Sequence, residues 1–171
     1  MEYFAHETHH IGLSQIINRT RSKLRLNNQE QRAFGFLTAL VMEGSASYLI
    51  NGHRSLEVMR RDPQFAENLK NGDELLKLTE QLLKSVLQNN LDDEGYEKAT
   101  TPFLGSGWHC VGALMLSAID RASGSRAVMD VLRDPRKLLA AYNRAIVGRK
   151  STVEQKSLNK TLAKRISSMG T

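Results

Sequence analysis

Apolar residues recur at steps of three and four along most of the chain, and the alternation typical of β-strands is scarce. This pattern predicts an all-α fold with six or seven helices. The predicted helices cover residues 3–19, 31–51, 64–70, a stretch that begins at Asp73, residues 108–122 and a stretch after Pro135. The helix from Asp73 has the clearest division, with leucines on one side and charged residues on the other.

Asparagine-glycine pairs mark two of the predicted helix ends, Asn51-Gly52 and Asn71-Gly72. Between residues 89 and 107 the chain carries three consecutive acidic residues, Pro102 and several glycines. We expect a long loop there, which is a candidate for a mobile element beside a cleft.

The pentapeptide His6-Glu7-Thr8-His9-His10 is the segment whose spacing points most directly to a chemistry. Residues four apart lie on one face of an α-helix, so His6 and His10 can direct two imidazoles at one ion while Glu7 faces the same cavity. A catalytic zinc site uses three protein ligands and leaves a position for water, which a carboxylate such as Glu7 can deprotonate. The alternative is a polar helix start with solvent-exposed histidines.

Glu43 is the best candidate for the third ligand. It lies on the apolar stripe of the helix 31–51, three residues after Leu40 and seven after Phe36, where an unpaired charge would be costly to bury. The small residues 44–46 allow a second helix to approach closely. Alternatively, Glu43 lies at the edge of the stripe and reaches water. Glu30 and Glu57 are poorer candidates because they lie in polar stretches.

These residues resemble the gluzincins, metallopeptidases of the thermolysin type that carry the H-E-x-x-H motif on one helix and a glutamate ligand on the next. The pattern looks like a bacterial group of zinc-dependent peptidases in that clan. The matching stretches are residues 6–12, 42–48, 105–109, 112–115, 134–135 and 142–143. The resemblance implies the helical catalytic half of a zincin-like metallopeptidase, with His6, His10 and Glu43 as zinc ligands and Glu7 as the catalyst.

In one respect the chain departs from that family. A gluzincin has a β-sheet before the H-E-x-x-H helix, and its edge strand holds an extended substrate. Only residues 1–5 precede His6 here. We therefore expect that the domain is incomplete at its N-terminus and that an upstream domain or a partner supplies the sheet, or that the protein is a degenerate relative.

Two further side chains are candidates for roles beside the metal. His109, at a predicted helix start after a Gly-Ser-Gly turn, or Tyr142 could donate a hydrogen bond to the oxyanion of the reaction intermediate. The alternative for His109 is a hydrogen bond within the fold. His9 is rotated about 100° from His10 on a helix and is expected to be a bystander. Tyr48 is expected in the core, as is Cys110, which is the only cysteine and can form no internal disulfide.

Composition is that of a globular domain, with 40% hydrophobic and 25% charged residues among 171. No apolar stretch approaches the roughly 18 to 20 residues of a transmembrane helix. No signal peptide is visible, so the chain as it stands is expected in the cytoplasm.

The charge is concentrated at the C-terminus. Residues 146–171 contain six basic residues and one acidic residue, five of the net six positive charges. We divide the chain into a helical domain, 1–145, and this basic tail, 146–171, which is expected to form a surface helix or a frayed extension. The tail has no aromatic residue between its charges, so nucleic-acid binding is not expected. Its positive charge suits contact with an anionic partner.

The sequence thus predicts a zinc-dependent metallopeptidase that acts on peptides or proteins. The alternative is a truncated or degenerate, non-catalytic helical protein that binds metal.

Overall fold

The computed structural model describes residues 2–51, 56–57, 60–147 and 157–171. Within these ranges the secondary structure is helical and contains no strand, which confirms the all-α prediction. The described ranges contain eight α-helices with defined bounds, against the six or seven predicted. They are α1 (Glu2–Arg21), α2 (Asn28–Asn51), α3 (Pro63–Lys70), α4 (Gly72–Leu87), α5 (Asp93–Thr100), α6 (Ser106–Arg133), α7 (Leu138–Val147) and α8 (Lys160–Ser167). Short 3₁₀ turns, Thr101–Phe103 and Pro135–Lys137, precede α6 and α7.

The prediction of a long loop between residues 89 and 107 is wrong, because α5 and a 3₁₀ turn occupy most of this segment. The side chain of Asp92 caps α5 by accepting a hydrogen bond from the backbone amide of Gly95 at 2.8 Å. Asp93 and Glu94 then lie in the first turn, where negative charge is favourable. The three acidic residues therefore form a helix start rather than a solvated loop.

The helix α2 begins with a reciprocal cap. The side chain of Asn27 accepts a hydrogen bond from the amide of Glu30 at 3.0 Å, and the Glu30 carboxylate accepts one from the amide of Asn27 at 3.1 Å. Such an exchange satisfies two amides that have no partner within the helix. Glu30 therefore acts as a capping residue of α2.

The core is built around α2 and α6, which pack along each other. Their buried faces carry Phe36, Leu37, Leu40 and Val41 on α2 and Val111, Met115, Leu116 and Ile119 on α6. At one end of this contact, the rings of Phe36, Phe103 and Trp108 lie 4.8–5.3 Å apart, with Phe36 and Phe103 nearly perpendicular. The helix predicted to end at residue 122 continues, but its backbone breaks at Gly124, where φ is 76°.

Glycines allow α2 and α6 to approach most closely. A Cβ atom at Gly44 would lie 2.3 Å from the Cα atom of Gly112, and one at Gly112 would lie 2.0 Å from the carbonyl oxygen of Leu40. Any larger residue would push the helices apart. The close approach predicted from the small residues after Glu43 is therefore observed, and it brings Glu43 next to the start of α6.

The described part of the basic tail is docked on the core. Leu158, Leu162, Ile166 and Met169 are buried in the same hydrophobic cluster as α2 and α6. The side chain of Asn143 accepts a hydrogen bond from the amide of Leu158 at 2.7 Å and donates one to its carbonyl oxygen at 2.9 Å. Of the two forms expected for the tail, residues 160–167 adopt a helix. The domain boundary at residue 145 stays a prediction.

No single helix in the described ranges is long and apolar enough to span a membrane. One pair, Asp93–Phe103 and Ser106–Arg133, has a suitable length and composition when taken together, but it is bent by 70° at its break.

Candidate metal site

The first two helices bring together the three side chains that the sequence singled out as ligands. The Nε2 atoms of His6 and His10 lie 2.8 Å apart. The Oε2 atom of Glu43 lies 3.7 Å from the His6 nitrogen and 3.5 Å from the His10 nitrogen. One donor atom from each of the three residues lies within 4.8 Å of the other two. We call His6, His10 and Glu43 the metal group.

This donor set fits a zinc ion in its chemistry and spacing. Zinc prefers imidazole nitrogen and carboxylate oxygen at about 2.0–2.1 Å, and two ligands of a tetrahedral ion are then about 3.3 Å apart. The observed separations of 2.8–3.7 Å bracket that value. The side chains retain between 16% and 30% of their exposure, so a ligand can reach them from solvent.

Glu7 lies on α1 beside His6, and its side chain is exposed. A carboxylate that deprotonates a metal-bound water must be reachable by water, so this exposure suits the predicted role. No contact of Glu7 with the other three residues is described. Its catalytic role stays a prediction.

His9 is more than the bystander expected from the helical wheel. Its Nε2 atom lies 2.7 Å from the hydroxyl oxygen of Ser45, a residue with no exposed surface. The Ser45 hydroxyl donates to the carbonyl oxygen of Met42 at 3.1 Å, so His9 is the donor to Ser45. Burial lowers the pKa of His9, and the charges of His10 and His6 lower it further. This bond holds α1 on α2 between the two histidines of the metal group.

Among the described residues, His109 is an additional histidine that contacts Glu43. Its Nε2 atom lies 3.2 Å from Glu43 Oε2, and its Nδ1 atom lies 3.1 Å from the Glu43 carbonyl oxygen and 2.9 Å from the hydroxyl of Ser47. Burial lowers the pKa of His109, although the charge of the Glu43 carboxylate and the hydrogen bond to the Glu43 backbone raise it. The His109 ring also makes an edge contact with the ring of Phe65, with a centroid separation of 5.6 Å.

The other candidates lie apart from this group. Tyr142 is completely buried in the core, and its hydroxyl oxygen has no hydrogen-bond partner among the described residues. Tyr48 is buried as expected and donates a 2.5 Å hydrogen bond to Asp120. Cys110 is buried, and burial raises the pKa of its thiol to about 12. His53 lies outside the described residues.

Sequence reasoning missed the two serines of α2 that contact histidines. In the sequence, Ser45 stands out only as a small residue that permits close helix packing, and Ser47 only as part of the matching stretch 42–48. Their hydroxyls face α1 and α6 respectively, and only the rotation of α2 between these two helices decides which histidine each serine meets. A single sequence carries no signal for that rotation.

Comparison with known proteins gives one match. Residues 1–151 match the model of the family described as "Putative zinc dependent peptidase (DUF5700)". The searches of curated proteins and of solved structures gave no match. The family match includes His6, Glu7, His10, Glu43 and His109 and covers most of the 171 residues. The chain therefore belongs to this family.

Proposed function

We propose that the protein hydrolyses peptide bonds with a zinc ion held by His6, His10 and Glu43 and with Glu7 as the general base. The observation that carries this proposal is the grouping of two imidazole nitrogens and one carboxylate oxygen from α1 and α2, all within 4.8 Å. The family assignment supports zinc and peptide substrates independently of that geometry.

A zinc ion bound at such a site polarises a carbonyl group and lowers the pKa of a bound water to about 7. The chain supplies the remaining chemistry. The Glu7 carboxylate removes a proton from the attacking water, and the same carboxyl group carries that proton to the leaving amine. Because Glu7 follows His6 directly on α1, the helix that positions one ligand also positions the base.

Two structural contacts support the ligand geometry. The close approach of Gly44 and Gly112 fixes the height of Glu43 relative to α6. The bond from His9 to Ser45 fixes the rotation of α1 on α2, so that His6 and His10 face Glu43. Ligand side chains held in this way lose little freedom when a metal binds, which favours affinity.

The first test is metal analysis of protein purified without added metal. We expect about one zinc per chain in the wild type and none in the His10→Ala and Glu43→Gln variants. Glu30→Gln is the matched control, because it removes a carboxylate from the same helix outside the metal group and should leave zinc binding unchanged. Absence of zinc from the wild type, or its retention in both ligand variants, would refute the site.

The second test separates metal binding from catalysis. Glu7→Gln should bind zinc like the wild type and fail to cleave a mixture of peptides that the wild type cleaves, since the amide cannot accept the proton of water. If the wild type binds zinc and cleaves no peptide, the alternative of a non-catalytic metal-binding protein is favoured. Cleavage by Glu7→Gln at the wild-type rate would remove Glu7 from the mechanism.

A further inference from the structure

His109 has two roles open to it, and they require opposite protonation of the Nε2 atom that faces the site. A hydrogen-bond donor to an oxyanion needs a proton on Nε2, whereas a metal ligand needs a lone pair there. The contacts of the other ring nitrogen, Nδ1, decide between these possibilities.

Two oxygens lie within hydrogen-bond distance of Nδ1, the Glu43 carbonyl oxygen at 3.1 Å and the Ser47 hydroxyl at 2.9 Å. A carbonyl oxygen can only accept, so its contact is favourable only when Nδ1 carries the proton. The serine hydroxyl can accept as well. Both contacts are therefore satisfied when Nδ1 carries the proton, which in a neutral ring leaves the lone pair on Nε2.

That lone pair faces Glu43 Oε2 at 3.2 Å, which would be repulsive unless a cation bridges the two atoms. The separation is also close to the roughly 3.3 Å expected between two ligands of one tetrahedral zinc ion. A histidine that donates from one ring nitrogen to a backbone carbonyl and presents the other nitrogen to a metal is the common arrangement in metal sites.

The ring spacing is compatible with a shared ion. Two imidazoles bound to one tetrahedral zinc through Nε2 hold their centroids about 5 Å apart. The His6 and His109 centroids are 5.6 Å apart, and those of His6 and His10 are 4.4 Å apart. His109 is not part of the metal group, whose donor atoms all lie within 4.8 Å of one another. Its Nε2 atom must therefore move inward to reach a shared ion.

We propose that His109 is a fourth, displaceable protein ligand of the metal held by His6, His10 and Glu43. The inference rests on the proposed function, because it concerns the same metal. In the resting protein His109 would occupy the position that a catalytic zinc site leaves to water, and its displacement would open that position to water, a substrate carbonyl or an inhibitor. Ser47 and the Glu43 carbonyl hold the ring in the tautomer that can bind.

The experiment counts metal-bound histidines directly. Protein labelled with ¹⁵N in its histidines is loaded with ¹¹³Cd, and one-bond ¹¹³Cd–¹⁵N couplings are recorded together with the tautomer of each ring. We expect couplings from three histidines, with His109 coupled through Nε2 and protonated at Nδ1. His109→Gln should leave two couplings. The control Glu30→Gln should leave all three, because Glu30 caps the start of α2 and lies outside the metal group.

The outcomes separate this inference from the proposed function. Couplings from His6 and His10 alone, with a proton on His109 Nε2, would overturn the inference and leave the three-ligand site intact. Loss of coupling at His6 or His10 would overturn both. Addition of a small hydroxamate should abolish the His109 coupling and retain the other two, and an unchanged His109 coupling would show that this ligand is not displaceable.

Discussion

At the scale of single residues, the structure separates two side chains that the sequence could not rank. His109 and Tyr142 were both candidates for hydrogen bonding to the reaction intermediate. His109 lies against Glu43, whereas Tyr142 lies in the core, where its hydroxyl has no hydrogen-bond partner in the described part of the chain. Burial, with a contribution from the charge of Asp73, raises the pKa of Tyr142 to about 12.

Removal of the Tyr142 hydroxyl should therefore stabilise the protein and leave zinc binding unchanged. A buried hydroxyl without a partner costs about 1–3 kcal/mol, so we expect Tyr142→Phe to raise the free energy of unfolding by about 1 kcal/mol. Denaturation by urea measures this change. A loss of peptide cleavage in a stable Tyr142→Phe variant would contradict the core assignment and restore the catalytic hypothesis.

The pH dependence gives an independent check. Tyrosine ionises near pH 10 in the unfolded chain and near 12 at residue 142 in the folded protein, so the unfolded state releases its proton first as the pH rises. Ionisation of Tyr142 therefore lowers the free energy of unfolding as the pH rises from 10 to 12, and this free energy should fall less in Tyr142→Phe. Tyr48→Phe is the comparison variant. It should destabilise the protein at neutral pH, because Tyr48 donates a hydrogen bond to Asp120.

At the scale of elements, the metal group depends on how closely two helices approach. Gly44 and Gly112 let α2 and α6 meet backbone to backbone, next to Glu43 and His109. This contact sets the backbone positions of Glu43 and His109 relative to each other. The helix pair therefore positions Glu43 against His109.

Gly44→Ala should weaken metal binding without altering any ligand. Its Cβ atom would lie 2.3 Å from the backbone of Gly112, so the helices must separate. We expect a loss of about 1–3 kcal/mol in stability and a decrease of about 10 to 100-fold in zinc affinity. Denaturation and competition with a chelator measure the two quantities.

Gly35→Ala is the matched control on the same helix, because a Cβ atom there meets nothing within 4 Å. It should stabilise α2 by about 0.5–1 kcal/mol and leave zinc affinity unchanged. Equal behaviour of the two variants would show that the close contact at Gly44 does not position the site.

At the scale of the whole molecule, the C-terminal helix belongs to the same core as the helices of the site. Ile166 has no exposed surface, and Leu158 and Leu162 are buried beside it. The Arg165 guanidinium donates to the carbonyl oxygen of Leu87 at 2.6 Å, which ties α8 to the end of α4. The basic residues of α8, Lys160, Lys164 and Arg165, are exposed, so their charges lie on the outer side of a packed helix.

Ile166→Ala should lower the free energy of unfolding by about 2–5 kcal/mol, the cost of a cavity at a fully buried site. Thr161→Ala, at an exposed position of α8, should change it by less than about 0.5 kcal/mol. Urea denaturation of both variants makes the comparison. Equal stability of Ile166→Ala and the wild type would mean that α8 is not docked in solution.

The amino-acid sequence by itself determined the helical class, most helix positions and the three residues of the metal group. Periodicity and the four-residue spacing of His6 and His10 are local properties, and the apolar stripe around Glu43 is visible within one helix. The acidic segment at residues 92–94 was misread because the same residues suit a loop and a helix start.

Only the tertiary structure decided which side chains meet across helices. The sequence places His9, His109, Ser45, Ser47 and Tyr142 on helices, but it does not give the rotation of one helix against another. The contact of Gly44 with Gly112 fixes that rotation for α2 and α6, and the bond of His9 to Ser45 does so for α1. The rotation of a helix decides which of its side chains face a neighbouring helix, and it depends on contacts between residues that are far apart in the sequence.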